Sequence, residues 1–193
     1  MSEEGSRIGV ASGARIVIFA VGLGVSTALR WVRFFPNNDP IMAVTLPYAR
    51  RGRVSAVLFP VAAMALFDLL SGRIGIWTLV TAGTYGLIGF GFSFLYAGLA
   101  ARGRRVGRGT YLLSGAAGVL VFDFVTGPVL SSALFHLSFA QAAVGQVPFT
   151  LRHLLSVSLY AVLVSPVVDW TLDRVERGER ALQKRLARAS RAT

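Results

Sequence analysis

Long apolar stretches separated by short polar links form most of the chain. A helix needs roughly 20 mostly apolar residues to cross about 30 Å of hydrocarbon. Five stretches meet that requirement: Ala14–Val32, Val54–Ser71, Trp77–Ala101, Thr110–Leu134 and Leu151–Leu172. Proline fixes its own φ and lacks an N–H group, so Pro128 and Pro166 are expected to bend the last two helices. The pattern predicts an all-α integral membrane protein.

A sixth apolar segment, Ile41–Tyr48, is too short to cross the hydrocarbon by itself. Pro40 precedes it and Pro47 lies inside it. Short or irregular elements occur at membrane depth only where other parts of the protein surround them. The segment is therefore either a half-helix that re-enters the membrane or a short sixth span buried by its neighbours.

The distribution of charge separates this chain from soluble proteins. Charged residues make up 15% of the chain, whereas a soluble domain contains about 25%. Only Asp68 and Arg73 are ionised in residues 54–101, and only Asp123 in residues 109–151. These stretches exclude a water-soluble domain, a disordered chain and a soluble nucleic-acid-binding protein, despite the net charge of +11. Because cysteine is absent, disulfides and thiolate metal sites are also excluded.

The basic residues decide between five and six spans. With six spans and both termini in the cytoplasm, 16 of the 20 basic residues lie inside, and the four outside are Arg30, Arg33, Arg73 and Arg152. Cytoplasmic segments carry an excess of Lys and Arg, whereas five spans would put the N-terminal segment and the basic tail on opposite sides. We expect a six-helix bundle with one short second span and both termini cytoplasmic, in the plasma (cell inner) membrane.

The chain divides into a cytoplasmic N-terminal segment (1–13), a six-span membrane domain (14–172) and a basic tail (173–193). The first span could alternatively be a signal peptide, but the six-span charge balance holds only if it is retained. The tail has apolar residues at helical spacing and the charge pairs Asp173/Arg177 and Glu176/Arg180. It is either a basic amphipathic helix that touches anionic membrane lipid or a solvated extension that only enforces orientation.

A six-residue segment recurs along the chain. Residues 67–72 are Phe-Asp-Leu-Leu-Ser-Gly and residues 122–127 are Phe-Asp-Phe-Val-Thr-Gly. In each copy the aspartate follows an arginine by 15 residues, which corresponds to about 22 Å of helix. Both copies run in the same direction towards the outer leaflet. We expect a parallel duplication of a three-span unit, with a chance match as the alternative.

The aspartates of the two copies, Asp68 and Asp123, lie inside predicted spans. A carboxylate there is costly and usually faces a cavity or a partner. They either line or brace a polar site that opens outwards, or they are hydrated at the interface and cap a helix end. Gly127 and Pro128 break the helix beside Asp123 and favour a cavity there, whereas Asp68 is expected to be a structural polar residue.

The predicted outer loops contain side chains that suit a small ligand. Residues 34–40 form the first loop, residues 73–77 the second and residues 135–150 the third, which leads into the last span. Their amide, imidazole and aromatic groups supply hydrogen bonds and stacking. The alternatives are that Asn-Asn-Asp-Pro is simply good turn chemistry and that the lone histidines are structural.

No catalytic or cofactor-binding motif accompanies these loops. The chain lacks a Gly-x-Ser-x-Gly elbow, a His-Glu-x-x-His motif and a phosphate-binding loop. The two histidines are 17 residues apart with no carboxylate nearby in sequence, so no metal site is expected. Gly86, Gly89 and Gly91 indicate close helix packing. We expect neither an enzyme nor a bound cofactor.

Several segments of the chain form an ordered pattern: a first span that ends in Arg30, then Pro36–Ile41, Tyr48–Arg50, Phe59–Met64 with Asp68 and Gly72, Gly86–Gly89 and Val147–His153. This pattern, over about residues 14–170, resembles the substrate-binding S components of energy-coupling factor (ECF) vitamin transporters. It implies a six-helix membrane protein that binds a vitamin or related micronutrient from outside and does not hydrolyse ATP. Such a protein would dock on a transmembrane coupling subunit that carries two ATPase subunits.

The resemblance also implies which residues contact the ligand and which dock on the coupling subunit. The ligand contacts, with Asp123 added on position alone, would be Asn37, Asn38, Asp39, Trp77, Asp123, Gln146, Phe149, Arg152 and His153. S components often dock through Ala-x-x-x-Ala motifs in the first and third helices, and the small residues at these places here are Ala20, Gly24, Ala28 and Ala62.

Two other functions remain open from the sequence. The alternative from a different class is a structural or assembly membrane protein without transport activity, whose polar loops contact another protein. The third is a membrane enzyme that uses Asp68 and Asp123.

Overall fold

The structure is a computed structural model that describes residues 3–32 and 37–190, with side chains from residue 13 onward. Six helices account for most of these residues, and no strand occurs among them. They are α1 (Glu3–Val32), α2 (Pro40–Arg51), α3 (Arg53–Leu70), α4 (Ile76–Ala101), α5 (Arg108–Phe135) and α6 (Phe139–Ala189). The predicted all-α six-helix bundle is confirmed. Residues 34–36 of the first predicted loop lie outside the described residues, as do residues 191–193 of the tail.

The outside of the bundle is apolar. All helices except α2 are long and apolar enough to cross a membrane. Large apolar side chains on them point away from the protein, including Leu79 (70% exposed), Leu87 (73%) and Leu113 (73%). Contiguous apolar surface of this kind is unfavourable in water and favourable in hydrocarbon. The chain is therefore a multi-pass membrane protein.

The short helix α2 forms the centre of the bundle. All ten of its residues from Pro40 to Ala49 are buried, and the helix packs against α1, α3, α4, α5 and α6. Its 12 residues rise only about 18 Å, which is less than the hydrocarbon thickness. Of the two sequence alternatives, the short segment buried by its neighbours is the correct one.

Ion pairs define one end of the bundle, here called the inner end. Arg15 on α1 lies 2.6 Å from Glu179 on α6, and Arg51 at the end of α2 lies 2.6 Å from Asp169 and 2.7 Å from Asp173. The start of the first span, the end of α2 and the second half of α6 thus meet at the same end. The opposite, outer end contains the α1–α2, α3–α4 and α5–α6 links. This arrangement agrees with both termini on one side, which the positive-inside rule makes cytoplasmic.

Helix α6 is much longer than the predicted last span. The sequence predicts a loop over 135–150 and a span from Leu151, but α6 begins at Phe139, so that prediction was wrong. Ser138 explains the start: its hydroxyl accepts a hydrogen bond from the Gln141 N–H at 3.2 Å, and the Gln141 side chain bonds back to the Ser138 N–H at 3.3 Å. This reciprocal cap holds the first turn.

The basic tail continues the same helix as far as Ala189. The predicted pair Glu176/Arg180 forms, at 3.1 Å. Asp173, however, bonds Arg51 rather than forming an ion pair with Arg177. Asp173 of the tail therefore attaches α6 to the end of α2.

The two copies of the repeat lie on α3 and α5 and end differently. The first ends its helix, with Gly72 in a left-handed conformation at φ +65°. The second passes into a π-helical turn, Val125–Val129, and the chain stays helical to Phe135. A three-span duplication would place the copies three helices apart and in opposite directions, whereas α3 and α5 are two helices apart and have only α4 between them. The predicted three-span repeat is therefore not the relation between these segments.

Glycines bring α3 and α4 into direct backbone contact. A Cβ added to Gly89 would lie 2.1 Å from the carbonyl oxygen of Ala56, and one added to Gly86 would lie 3.0 Å from Val61. Gly91 has no atom within 4 Å of that position. Close packing is thus confirmed at Gly86 and Gly89 and was wrong at Gly91. It fixes the position of α4 against the central helices.

Candidate functional site

Asp39 begins α2 at the outer end of the bundle. The following Pro40 has no N–H, and the next amide, that of Ile41, donates to Asp39 Oδ1 at 3.0 Å. The Asp39 N–H donates to Ser156 Oγ on α6, also at 3.0 Å. This N-cap geometry needs a short side-chain acceptor, so it holds the carboxylate in one position. The residue is 3% exposed.

His153 of α6 bridges Asp39 and a second buried carboxylate. Its Nε2 lies 3.0 Å from Asp39 Oδ2, and its Nδ1 lies 2.8 Å from Asp123 Oδ1 on α5. Tyr85 on α4 donates its hydroxyl to the same Asp39 oxygen. His153, Asp123 and Tyr85 are at most 3% exposed. We call His153 and its two carboxylates the Asp39–His153–Asp123 cluster.

The hydrogen bonds of this cluster fix its proton count. An ionised carboxylate only accepts hydrogen bonds, and a neutral imidazole donates from one nitrogen only. Two contacts to carboxylates therefore require one extra proton, carried by His153 or by one of the carboxyls. In either state the three groups together have one negative charge. Burial alone would raise the pKa of Asp39, which precedes α2, but the hydrogen bond and charge of His153 and the charge of Arg30 hold it below its ordinary value.

A cavity of about 570 Å³ lies above this cluster at the outer end. Its volume is in the range of small-molecule sites, about 300–1,000 Å³. Asp39 and His153 form part of its wall. The other polar lining residues are Arg30, Asn37, Asn38 and Arg73, and the aromatic ones are Phe67, Tyr85, Phe122 and Phe149.

Two side-chain amides hold the loop residues that line this cavity. Asn37 donates from Nδ2 to the carbonyl oxygen of Phe149 at 3.0 Å, and Asn38 donates from Nδ2 to the carbonyl oxygen of Leu29. These bonds connect the loop to α6 and α1. The Asn38 Oδ1 atom is buried without a hydrogen-bond partner among the described residues.

Comparison with known proteins gives no assignment for this site. No family model, no curated protein and no solved structure matches the chain.

Five of the nine predicted ligand contacts line the cavity: Asn37, Asn38, Asp39, Phe149 and His153. A sixth, Asp123, does not line it and instead bonds His153 from behind. These six come from the first loop, α5 and α6. The fold thus brings together residues as far apart in sequence as Asp39 and His153.

The other three predicted contacts lie elsewhere. Trp77 packs against Phe135, with ring centroids 6.1 Å apart. Gln146 lies against Gly127, so that a Cβ there would be 2.5 Å from its Oε1. Arg152 is exposed, because it follows Phe149 by three residues and precedes His153 by one and so lies off the face that those two share. None of the three lines the cavity.

The predicted structural and docking residues are also placed. Asp68 is half-buried and accepts a hydrogen bond from the Thr78 hydroxyl at 2.6 Å, which connects α3 to the start of α4. Ala20, Gly24 and Ala28 are exposed along one face of α1, and Ala62 on α3 is half-buried. The predicted docking residues on α1 therefore face away from the bundle.

Sequence reasoning missed five lining residues: Arg30, Phe67, Arg73, Tyr85 and Phe122. Arg30 entered it as an outer charge and as the end of the first span, and Arg73 as an outer charge and the first residue of the second outer loop. Phe67 and Phe122 directly precede the aspartates of the two repeat copies. That shared position was a usable signal, because the repeated segment that pointed to the two aspartates also contains the phenylalanine before each of them. Tyr85 carried no comparable signal.

Among the described residues, no group of three or more His, Cys, Asp or Glu side chains is arranged to hold a metal ion. In the Asp39–His153–Asp123 cluster, the imidazole uses both nitrogens on the carboxylates. The cluster therefore acts as a fixed polar floor for the cavity rather than as a set of free ligands.

Proposed function

We propose that this protein is the substrate-capture S component of an ECF-type importer in the plasma (cell inner) membrane. It binds a vitamin or related micronutrient at its outer end and passes it to a transmembrane coupling subunit with two ATPase subunits. The proposal rests on the resemblance in sequence and on a polar cavity that opens at one end of an apolar helical bundle.

The observation that carries the proposal is the contact between Asp39 and His153. Each belongs to one of the two loop-derived segments of the resemblance, Pro36–Ile41 and Val147–His153, and their side chains lie 3.0 Å apart in the cavity wall. Buried polar groups in a membrane are costly and usually functional. Besides joining α2 to α6, this pair forms part of the wall of a cavity of ligand size.

The lining supplies both kinds of contact that a small ligand needs. Asn37 and Asn38 offer amide groups, and Phe149 and Phe122 offer flat apolar faces. Such a mixture, apolar walls with a few fixed polar groups, is typical of cofactor and metabolite sites. It fits a heterocyclic nutrient better than a metal ion or a lipid chain.

The surface of α1 supports docking to a coupling subunit. Ala20, Gly24 and Ala28 form an exposed stripe of small residues, four residues apart. Small residues let a second membrane helix approach closely. Docking to a coupling subunit is the property that distinguishes an importer subunit from a membrane protein that only binds a ligand.

Ligand stabilisation tests the proposal. A ligand at 100 times its Kd adds about 2.7 kcal/mol to the free energy of unfolding. We expect at least one compound in a collection of vitamins and their precursors to raise the unfolding temperature of the protein in nanodiscs. Asn38→Ala should abolish the shift, whereas Gln141→Ala, on α6 and outside the cavity lining, should retain it.

Co-purification tests the coupling. Tagged protein should retain a coupling subunit and ATPase subunits, and Gly24→Leu should lose them while ligand still binds. If no compound stabilises the protein and no ATPase co-purifies, the structural or assembly function becomes the better account. The enzyme alternative that pairs Asp68 with Asp123 has no structural support, because these side chains bond different partners, Thr78 and His153.

A further inference from the structure

Asp39 lines the cavity and has hydrogen-bond partners on both oxygens, whereas the Oδ2 atom of Asp123 has none among the described residues. Asp39 accepts from the Ile41 amide with one oxygen and contacts Tyr85 and His153 with the other. Asp123 lies behind His153 and does not line the cavity. A cationic ligand would therefore have to displace contacts that the protein makes for itself.

The two arginines of the cavity are in the opposite situation. Neither Arg30 nor Arg73 forms an ion pair with a carboxylate among the described side chains. With the single negative charge of the Asp39–His153–Asp123 cluster, they leave the cavity with a net charge of +1. Arg73 is exposed to solvent, whereas Arg30 is half-buried, and a half-buried guanidinium without a carboxylate at ion-pair distance favours the binding of an anionic ligand.

Arg30 is also held in place. Its guanidinium lies 4.7 Å from the centroid of the Phe67 ring, and Nη1 contacts Met64 Sδ at 3.1 Å. The aromatic face and the sulfur fix the plane of the guanidinium without neutralising it. A planar group with several free N–H donors is suited to two parallel hydrogen bonds with an oxyanion.

The side chain of Asn38 offers the cavity a buried hydrogen-bond acceptor. Asn38 is 7% exposed, and its Oδ1 has no hydrogen-bond partner among the described residues, while its Nδ2 is bound to Leu29. A buried acceptor without a partner costs free energy. A ligand N–H or O–H donor would satisfy it.

We infer that the ligand is an organic anion: a planar ring between Phe67, Phe122 and Phe149, an oxyanion group on Arg30 and Arg73, and a hydrogen-bond donor directed at Asn38. This inference rests on the proposed function, since it describes the ligand of the same site. The oxyanion chemistry is shared by carboxylates and phosphate esters, so the test must distinguish the two.

The test uses sets of three compounds built on one heteroaromatic ring: the carboxylate, the phosphate monoester and the neutral primary amide. Affinity is measured calorimetrically with the full-length protein in nanodiscs. The variants are Arg30→Gln, Arg30→Lys and Arg152→Gln. The last is a matched control, because it removes an outer arginine that does not line the cavity.

We expect one anionic member of a set to bind at least tenfold more tightly than its amide. Arg30→Gln should remove that preference, Arg30→Lys should keep part of it, and Arg152→Gln should keep all of it. A tighter carboxylate or a tighter phosphate ester identifies the group that the arginines bind. The unfolding temperature of each ligand-free variant shows that the loss is not a folding defect, and the Lys variant retains the charge if the Gln variant does not fold.

Two results overturn the inference while leaving the proposed function intact. One is an amide, or another neutral or cationic compound, that binds as tightly as every anion tested. The other is an anion whose affinity falls in Asn38→Ala but not in Arg30→Gln. If nothing in these sets or in the vitamin collection binds, and the purified protein retains no small molecule, the proposed function itself is wrong.

Discussion

The Nε2 atom of His153 lies 3.0 Å from Oδ2 of Asp39, a residue 114 positions earlier in the chain. This contact joins the last helix to the cap of the buried central helix. It also forms the floor of the outer cavity. A single hydrogen bond thus links the stability of the bundle to the shape of the candidate site.

We predict that His153→Ala strongly destabilises the protein. It would leave the Asp39 and Asp123 carboxylates buried without their shared partner, and breaking a buried ion pair costs about 3–5 kcal/mol. The measurement is the free energy of unfolding in a mild detergent with increasing denaturant. The control is His136→Asn at an exposed position with φ +56°, which asparagine tolerates and which should change stability by less than about 0.5 kcal/mol. Equal stability of the two variants would contradict the role given to the cluster.

Gly89→Ala should disrupt the contact between α3 and α4. The new Cβ would lie 2.1 Å from the Ala56 carbonyl oxygen, so the helices must move apart. Overpacking of this kind costs about 1–3 kcal/mol. Gly91→Ala on the same helix meets no atom within 4 Å and should be neutral or stabilising by up to about 1 kcal/mol. Thermal unfolding of the two variants side by side tests the pair, and a Gly89→Ala protein as stable as wild type would show that the helices do not touch there.

Removing the Arg51 side chain should loosen the inner end. Arg51 is 12% exposed as a side chain and contacts Asp169, Asp173 and Glu176 on α6. Arg51→Ala removes one of the two arginines on Asp169 and Asp173, since Arg50 also contacts both, and the loss of these charged hydrogen bonds should cost about 1.5–3 kcal/mol. Arg105→Ala, an exposed arginine in the α4–α5 link, is the control. The expected result is faster proteolysis of residues 173–189 in Arg51→Ala alone; identical digestion of both variants would argue against the attachment.

The chain contains no cysteine, so single thiols report its orientation directly. Gly75→Cys and Leu137→Cys lie in the outer links, and Arg105→Cys lies in the α4–α5 link at the inner end. In intact cells, a membrane-impermeant maleimide should label the first two and not the third. Labelling of Arg105→Cys alone would reverse the assigned orientation. Labelling of all three variants would contradict the assignment of the two ends to opposite sides of the membrane.

Much of the fold follows from the sequence because lipid makes charge so costly. The apolar stretches predict the long helices, and the basic segments predict which ends meet. The start of α6 was missed because Pro148 and the glutamines of residues 139–150 are typical of a loop, whereas the Ser138 cap and the apolar residues between them favour a helix.

The site was only partly predictable, for a different reason. The sequence identified Asn38, Asp39 and His153 as candidate contacts. It could not show that Asp39 and His153 touch, because that contact depends on how α2 packs against α5 and α6, which no local pattern encodes. Arg30 was missed as a lining residue because the sequence gives its charge and not its stacking on Phe67. Arg152 was also named as a contact, but it does not line the cavity, since adjacent residues on a helix point about 100° apart.

The most direct test of the central claim is native mass spectrometry of the protein extracted into nanodiscs from cells grown in rich medium. The account predicts a bound small molecule in the wild-type protein and in Arg152→Gln, and none in Asn38→Ala. A protein that carries no small molecule, and that no compound of the vitamin collection stabilises, would contradict it.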